Sequence, residues 1–229
     1  MDDRRCARIC VVIAAYNEAQ PIGRVVADVR RHGYRPVVVD DGSSDATAAL
    51  AEAAGATVVR HPINLGQGAA LQTGIEFALR TGAEVVVTFD ADGQHLASEI
   101  EGLVEALGRE RADFVLGSRF LAAGCEVPPL RRLLLKAALL FTRLATGLRV
   151  TDTHNGLRAM TRRGAAAIRL RQNRMAHASE ILAQIAASGL TYAECPVTVS
   201  YTAYSLAKGQ KLRDAMNILL DLFAQRLTR

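Results

Sequence analysis

The first half of the chain alternates short apolar runs of strand length with longer, alanine-rich stretches of helical character. This alternation is typical of an α/β fold, in which helices cover both faces of a mostly parallel central sheet. Gly33, Gly55 and Gly82 occupy positions at which helices commonly end. The pattern predicts strands at residues 9–15, 36–40, 56–60, 84–89 and 112–117, and helices at about 20–32, 45–54, 67–81 and 96–109.

Beyond Arg119 this alternation ends, and two amphipathic stretches become the main pattern. The first, at residues 130–144, gathers Arg132, Lys136 and Arg143 on one side of a helix and leaves a broad leucine and phenylalanine face. Such a helix either packs on the core or lies at a membrane interface, and the sequence leaves both open. The second stretch, at residues 212–223, is expected to pack, to dimerise or to touch a membrane.

Composition places the chain among globular proteins. Half of its 229 residues are apolar, and its net charge of +5 favours an anionic substrate or an acidic membrane surface. Few aromatic residues and the absence of a dense basic run argue against nucleic acid as a partner. The four cysteines are scattered, as expected of free thiols in a reducing compartment. Because no secretory signal or spanning segment is evident, we expect a cytoplasmic protein, or one peripheral to the inner face of the membrane.

The most informative motif follows the apolar run at residues 85–89. Asp90 and Asp92 end this run one residue apart, so that their side chains can face one target together. With Gln94 as a third oxygen ligand, they suit Mg²⁺ or Mn²⁺ better than zinc. Since such ions keep open positions for phosphate oxygens, the motif predicts a phosphate-bearing substrate.

A second acidic segment follows the strand predicted at 36–40. Asp41 is placed to accept hydrogen bonds from a base or ribose, whereas Asp45 is either part of the site or an N-cap of the next helix. The later segment from Gly66 to Gly68 lacks the third glycine of a dinucleotide fingerprint. We therefore interpret it as a loop that opens a helix, whose first amides could approach a phosphate.

Five segments in this order resemble family 2 glycosyltransferases of GT-A fold: residues 15–18 (AYNE), 40–43 (DDGS), 64–66 (NLG), 90–95 (DADGQH) and 117–119 (GSR). Arg131, Arg132 and the segment 152–158 (DTHNGLR) are most similar to dolichyl-phosphate and polyprenyl-phosphate sugar synthases. The resemblance implies an enzyme that moves a sugar from a nucleotide diphosphate to a lipid phosphate, inverts the anomeric centre and requires Mg²⁺ or Mn²⁺. It also implies one GT-A domain over residues 1–229, with a nucleotide-sugar-binding half at 1–119 and an acceptor-binding half with amphipathic helices at 120–229.

The resemblance assigns the donor site residue by residue. It places the nucleoside near Ala15, Tyr16 and Glu18, and the base or ribose at Val39 and Asp41. The diphosphate and metal are assigned to Asp90, Ala91, Asp92 and Gln94, with Asp92 and Gln94 as metal ligands and Asp90 shared between the metal and the sugar. The metal is expected to neutralise charge on the departing nucleotide.

The acceptor phosphate is assigned to Arg119 and to one or both of Arg131 and Arg132, since guanidinium groups suit phosphate oxygens. A lipid phosphate is already anionic, whereas a sugar hydroxyl must lose a proton. Asp152 is accordingly the candidate base for a hydroxyl acceptor, and otherwise orients Arg119 or the donor sugar. No proton-transfer role is assigned to His95 or His154.

The chain departs from the family pattern near its C-terminus, where residues 201–211 replace an arginine and a GxSK-like loop. We expect Lys208 and Lys211 to close over the diphosphate as a lid. An alanine at 14 or 15 also stands where the family has a proline. Two alternatives stay open: transfer to a saccharide hydroxyl in glycan assembly, and a non-catalytic sugar-nucleotide-binding protein. The sequence identifies neither the sugar nor the nucleotide, and leaves the oligomeric state and the need for a membrane partner undetermined.

Overall fold

The computed structural model describes residues 8–121, 139, 143, 146–153, 155–171 and 176–200. Within these residues it contains strands β1 (Ile9–Ala15), β2 (Arg35–Asp40), β3 (Thr57–Arg60), β4 (Val85–Asp90), β5 (Phe114–Ser118), β6 (Arg158–Thr161) and β7 (Tyr192–Pro196). The helices are α1 (Ala19–Arg31), α2 (Thr47–Ala53), α3 (Gln67–Arg80), α4 (Ile100–Arg109), α5 (Arg162–Ala167) and α6 (Ala176–Ser188), and a short 3₁₀ helix (Ala97–Glu99) precedes α4. None of the helices in these ranges is both long and apolar enough to cross a membrane.

The strands form one sheet in the order β3-β2-β1-β4-β6-β5-β7. β6 runs antiparallel to both of its neighbours, whereas the other pairs are parallel. The predicted mostly parallel sheet is therefore confirmed. Its parallel strands all end at one edge, which we call the carboxyl edge, and begin at the opposite, amino edge.

Helices cover both faces of the sheet, as predicted. On one face Val11 and Ile13 of β1 pack in a core with residues of α1 and α4. On the other face Cys10 and Val12 pack with residues of α3 and α6. Gly74 lets α3 approach the sheet closely, because a Cβ there would lie 2.2 Å from Cγ1 of Val12.

The predicted elements of the first half agree with the structure to within a few residues. Gly33, Gly55 and Gly82 follow the ends of α1, α2 and α3 with positive φ angles, as expected of C-terminal caps. The thiols of Cys10 and Cys195 are free, also as expected.

Two features differ from the sequence-based expectations. The N-cap of α2 is Ala46, while the Asp45 carboxylate accepts from the amides of Thr47 at 2.9 Å and Ala19 at 3.2 Å, joining the starts of α2 and α1. In addition, no strand was predicted beyond residue 117, yet β6 and β7 complete the sheet. Both are short and carry buried or half-buried polar side chains, so neither has the apolar pattern of the earlier strands.

Candidate active site

The predicted donor residues meet at the carboxyl edge, where β1, β2 and β4 end side by side. Ala14 is in register with Asp90, and Ala15 with Asp40. The strand order runs from β1 through β2 to β3 on one side and resumes with β4 on the other side of β1, so the chain direction across the sheet switches between β1 and β4. Ligands of open α/β sheets bind at such a switch point.

Asp90 is held by a buried histidine. His95 donates from Nε2 to Asp90 Oδ2 at 3.2 Å, and its ring lies edge-on to Phe89 with centroids 5.8 Å apart. Burial acts to raise the pKa of Asp90, but the hydrogen bond and charge of His95, followed by the charges of two other buried side chains, keep it below its ordinary value. Those side chains are Arg158 and His177. The carboxylate is thus ionised, oriented and still 30% exposed.

Asp92 lies on the turn that follows β4, and its environment is different. Its Oδ1 accepts from the amide of Gln94 at 3.0 Å. Burial raises its pKa, and the negative charges of Asp90 and Glu18 add to this effect. The site therefore gathers carboxylates that repel one another, and this repulsion is what a bound cation would relieve.

Gly156 packs directly against the Asp90 carboxylate. A Cβ at this position would lie 2.2 Å from Asp90 Oδ2, and the Gly156 carbonyl accepts from Thr88 Oγ1 at 2.7 Å. The segment before β6 thereby presses its backbone onto the end of β4. This glycine was quoted in the family resemblance, but its steric role depends on a contact that the sequence does not reveal.

Arg119 and Asp152 form a buried ion pair next to this segment. Arg119 donates from Nε to Asp152 Oδ2 at 2.6 Å, and the two side chains are 10% and 0% exposed. The loop that carries Asp152 is fixed by Glu194 of β7, which accepts from the Thr151 amide at 2.8 Å. Ser118 Oγ at the end of β5 also lies 2.6 Å from Thr151 Oγ1.

Two further charged side chains of this edge were not assigned from the sequence. Arg158 begins β6, is 4% exposed and lies in register with Thr88 on one side and Leu116 on the other. Burial lowers its pKa, while the charges of Asp90 and Asp152 act in the opposite direction. A signal was present, since an arginine interrupts an otherwise apolar run there. Glu194 was missed in the same way, as an acidic residue inside a short strand.

The residues to which the nucleoside was assigned differ in solvent exposure. Asp41 is 2% exposed, and its carboxylate accepts from His61 Nδ1 and from the amides of Leu65 and Gly66 at 2.7–2.9 Å, fixing the loop before α3. Tyr16 is 46% exposed beside this loop system, whereas Val39 is fully buried within β2. Binding of a base or ribose by these residues stays a prediction.

Hydrogen bonds join the loop after β1 to the loop after β2. The Asn17 amide donates to Ser43 Oγ at 2.9 Å, and the Glu18 amide donates to Thr47 Oγ1 at 2.8 Å. Ala91, between the two aspartates, is buried. Several predicted residues lie outside the described ranges: Arg131, Arg132, His154, Lys208, Lys211 and most of the two amphipathic stretches.

Comparison with known proteins identifies the family of this chain. Residues 10–168 match the model of the family described as glycosyl transferase family 2. The chain is 31% identical to a UDP-N-acetylglucosamine--dolichyl-phosphate N-acetylglucosaminyltransferase of Methanococcus voltae, over 93% of this chain and 94% of that protein. It is also 31% identical to a polyprenol monophosphomannose synthase of Mycolicibacterium smegmatis, over 93% of this chain and 86% of the relative.

A solved structure shares the fold. Glucosyl-3-phosphoglycerate synthase of Mycobacterium tuberculosis, in complex with Mg²⁺ and uridine diphosphate, superposes with a TM-score of 0.68 at 21% identity, over 96% of this chain and 80% of that one. The expected GT-A fold is therefore confirmed. By its family match, its relatives and its fold, the chain belongs to glycosyl transferase family 2 and is a glycosyltransferase.

Proposed function

We propose that this protein transfers a sugar from a nucleoside diphosphate sugar to a polyprenyl phosphate, with inversion at the anomeric carbon and with a divalent metal ion. The relatives named above act on dolichyl phosphate or polyprenol phosphate. The observation that carries the proposal is the meeting of two charged pairs at one edge of the sheet: the carboxylates of Asp90 and Asp92, and the ion pair of Arg119 with Asp152.

The acidic turn fits a divalent cation. Within the described residues no group of three or more His, Cys, Asp and Glu side chains is placed to hold a metal. Asp90, Asp92 and Gln94 would hold Mg²⁺ or Mn²⁺ together with substrate oxygens, which is how such ions commonly bind. Burial raises the pKa of Asp92 and the negative charge of Asp90 raises it further, which supports this fit. A bound ion would neutralise charge on the diphosphate.

The nucleoside would lie over the loops that follow β1 and β2. Tyr16 offers an exposed ring for the base, and Glu18 lies close enough to influence the charge of Asp92. Asp41 fixes the neighbouring loop at residues 61–66 through its hydrogen bonds to His61 and Gly66. Lys208 and Lys211 are proposed to close over the diphosphate.

The state of Asp152 favours a phosphate acceptor over a hydroxyl. A general base must reach the proton that it removes, but the Asp152 carboxylate is fully buried and bound to Arg119. A phosphate acceptor is already anionic and requires only positioning. Asp152 would then orient the Arg119 guanidinium toward the acceptor phosphate, a role in which Arg131 and Arg132 are also proposed to take part.

In the proposed reaction, Arg119 holds the acceptor phosphate opposite the leaving diphosphate. An oxygen of the acceptor phosphate forms a bond to the anomeric carbon as the bond from that carbon to the diphosphate breaks. Attack from the opposite side inverts the anomeric centre, and the nucleoside diphosphate leaves with the electron pair of the broken bond. Asp90, ionised and held by His95, would position the sugar for this step.

Transfer assays with the purified protein test the proposal. The protein is incubated with Mn²⁺ and GDP-mannose, UDP-glucose or UDP-N-acetylglucosamine, each with and without a short polyprenyl phosphate. Lipid-dependent nucleotide release with at least one donor is expected. It should be lost in Asp92→Asn and retained in Glu105→Gln, which changes an exposed carboxylate of α4.

The other outcomes identify the alternatives. Transfer to a saccharide but to no polyprenyl phosphate would refute the proposed acceptor. Donor binding without turnover on either acceptor class would point to a sugar-nucleotide-binding protein. The chosen donor would identify the sugar and the nucleotide at the same time.

A further inference from the structure

Arg158 is a buried charge whose donors have no partner in the described part of the chain. Its side chain is 4% exposed, yet no hydrogen bond or ion pair with a described residue reaches its guanidinium. Arginine stays protonated in proteins, so its five N–H donors need hydrogen-bond acceptors at any physiological pH. None of its nitrogens is among the fully buried unpaired polar atoms of the described residues, so these donors reach the surface of the site, where a ligand can meet them.

The neighbouring carboxylates do not meet this need. Asp90 and Asp152 are near enough to act on the charge of Arg158. However, Asp90 accepts from His95, and Asp152 accepts from Arg119. Arg119 offers a direct contrast, because it is buried to a similar degree but has a partner at 2.6 Å.

The position of Arg158 indicates the kind of ligand. In the sheet it lies between Thr88 of β4 and Leu116 of β5. Two residues further along these strands stand Asp90 and Ser118, the latter directly before Arg119. Arg158 thus lies between the proposed donor carboxylate and the proposed acceptor arginine. A phosphate brought here would approach two carboxylates, and a positive charge between them would reduce the repulsion.

We propose that Arg158 binds the acceptor phosphate together with Arg119. This inference rests on the proposed function and adds a second, buried guanidinium to it. Arg158 at the start of β6 and Arg119 just after β5 would hold the phosphate from two directions, which orients it and offsets its charge. Gly156, between Asp152 and Arg158, carries no Cβ that would collide with the Asp90 carboxylate.

The experiment measures binding of two ligands to Arg158→Met and Arg158→Lys. The first ligand is geranyl phosphate, a short prenyl phosphate, and the second is UDP or GDP with Mn²⁺, whichever the wild-type protein binds. For Arg158→Met we expect the dissociation constant of geranyl phosphate to rise roughly 10- to 100-fold, the loss typical of a hydrogen-bonded charge. The nucleotide dissociation constant should change less than about twofold, since the donor contacts stay in place.

Controls separate this inference from a folding defect. Nucleotide binding by Arg158→Met verifies that the variant is folded, and Arg109→Met, on the exposed end of α4, should bind both ligands as the wild type does. If Arg158→Met does not fold, Arg158→Lys keeps the charge without the planar fork and should show a smaller loss for geranyl phosphate alone.

Two results would overturn the inference. One is unchanged geranyl phosphate affinity in the variants, and the other is weakened nucleotide binding with the prenyl phosphate unaffected, which would place Arg158 on the donor. A wild-type protein that binds nucleotide but no prenyl phosphate would instead refute the proposed function itself, and the inference with it.

Discussion

The two edges of the sheet hold similar charged residues, but the number of hydrogen-bond partners that these residues have differs between the edges. At the amino edge Asp113 accepts from Arg163 Nε at 2.9 Å, and also from Thr161 and Thr191. At the carboxyl edge Asp92 accepts only one amide among the described contacts and has a raised pKa, while Arg158 has no described partner. The amino edge pairs Asp113 with its own donors, whereas the carboxyl edge pairs some of its charges, such as Arg119 with Asp152, and leaves Arg158 without a described partner.

This contrast separates structural from functional charge. A carboxylate that is surrounded by its own donors stabilises the fold, and its pKa falls, as that of Asp113 does, mainly through the hydrogen bond from Arg163. Stability is lost where carboxylates repel one another or where a buried arginine has no partner, unless a bound ligand neutralises these charges. Substitutions at the carboxyl edge should therefore impair transfer more than stability, and those at the amino edge should do the reverse.

The largest effect is expected for Asp92→Asn. Removing this charge should lower kcat/KM for transfer by roughly 10³-fold, as for loss of a major electrostatic contact in a transition state. Stability should be unchanged or slightly higher, because the variant also removes repulsion from Asp90. Transfer assays and thermal unfolding measure the two quantities. A folded variant with wild-type turnover would refute the assignment of Asp92.

Two glycines allow the same contrast to be tested by adding one methyl group. Gly156→Ala places a Cβ 2.2 Å from Asp90 Oδ2, and Gly164→Ala places one 2.5 Å from the Asp113 carbonyl oxygen. We expect Gly156→Ala to lower kcat about 100-fold, since displacement of a catalytic group by about 1 Å has such effects. Gly164→Ala should instead lower the free energy of unfolding by about 1–3 kcal/mol, through overpacking.

Unfolding in urea and transfer below the unfolding temperature distinguish these variants. Gly156→Ala should lose more activity than Gly164→Ala, and Gly164→Ala should lose more stability than Gly156→Ala. If both variants lost the same activity at equal stability, the loss would be due to general packing and not to the position of Asp90.

A smaller effect is expected from Glu194, which acts through its neighbours. Glu194→Leu removes the acceptor for the Thr151 amide and hydroxyl, so the loop that carries Asp152 should loosen. We expect kcat/KM for the lipid acceptor to fall roughly tenfold with little change in nucleotide affinity, as for loss of a supporting contact. Glu194→Gln keeps an acceptor oxygen and should restore most of the activity. Equal losses in both variants would indicate that the charge, rather than the hydrogen bond, matters.

The parts of the fold that were predicted correctly are those encoded locally. Each strand from β1 to β5 is an apolar run bounded by turn residues, so its sequence reports its burial directly. β6 and β7 were missed because both are short and carry charged residues, the buried Arg158 and the half-buried Glu194, whose surroundings come from distant parts of the chain. An arginine at the start of a strand is polar by composition, although the folded protein buries it.

The site divides in the same way. Asp90 and Asp92 were found because one turn brings both carboxylates together at a strand end. The pairing of Arg119 with Asp152 was anticipated as one of several roles, but only the fold selects it. The close approach of Gly156 to Asp90 spans two strands, and no local pattern contains it. Residues that act through long-range contacts are therefore the ones that sequence patterns do not identify.

The smallest effect is expected for Asp113→Asn at the amino edge. This change weakens the hydrogen bonds from Arg163 and Thr191, and we expect the melting temperature to fall by roughly 2–4 °C at pH 7, with transfer unchanged. Because the folded-state pKa of Asp113 is depressed, the stability that it contributes is present above its ordinary value of 3.8. That stability is lost as the pH falls from there through the folded-state pKa.

The pH dependence provides the stricter test of this prediction. Wild type and Asp113→Asn should differ in urea unfolding at pH 7 and at pH 5, and the difference should shrink progressively below about pH 4, where the carboxyl is protonated first in the unfolded chain and, at lower pH, in the folded protein. A difference that persists unchanged at low pH would mean that shape rather than charge determines the effect. Loss of transfer in this variant at neutral pH would contradict the division between the two edges, because Asp113 would then influence a site at the opposite end of the strands.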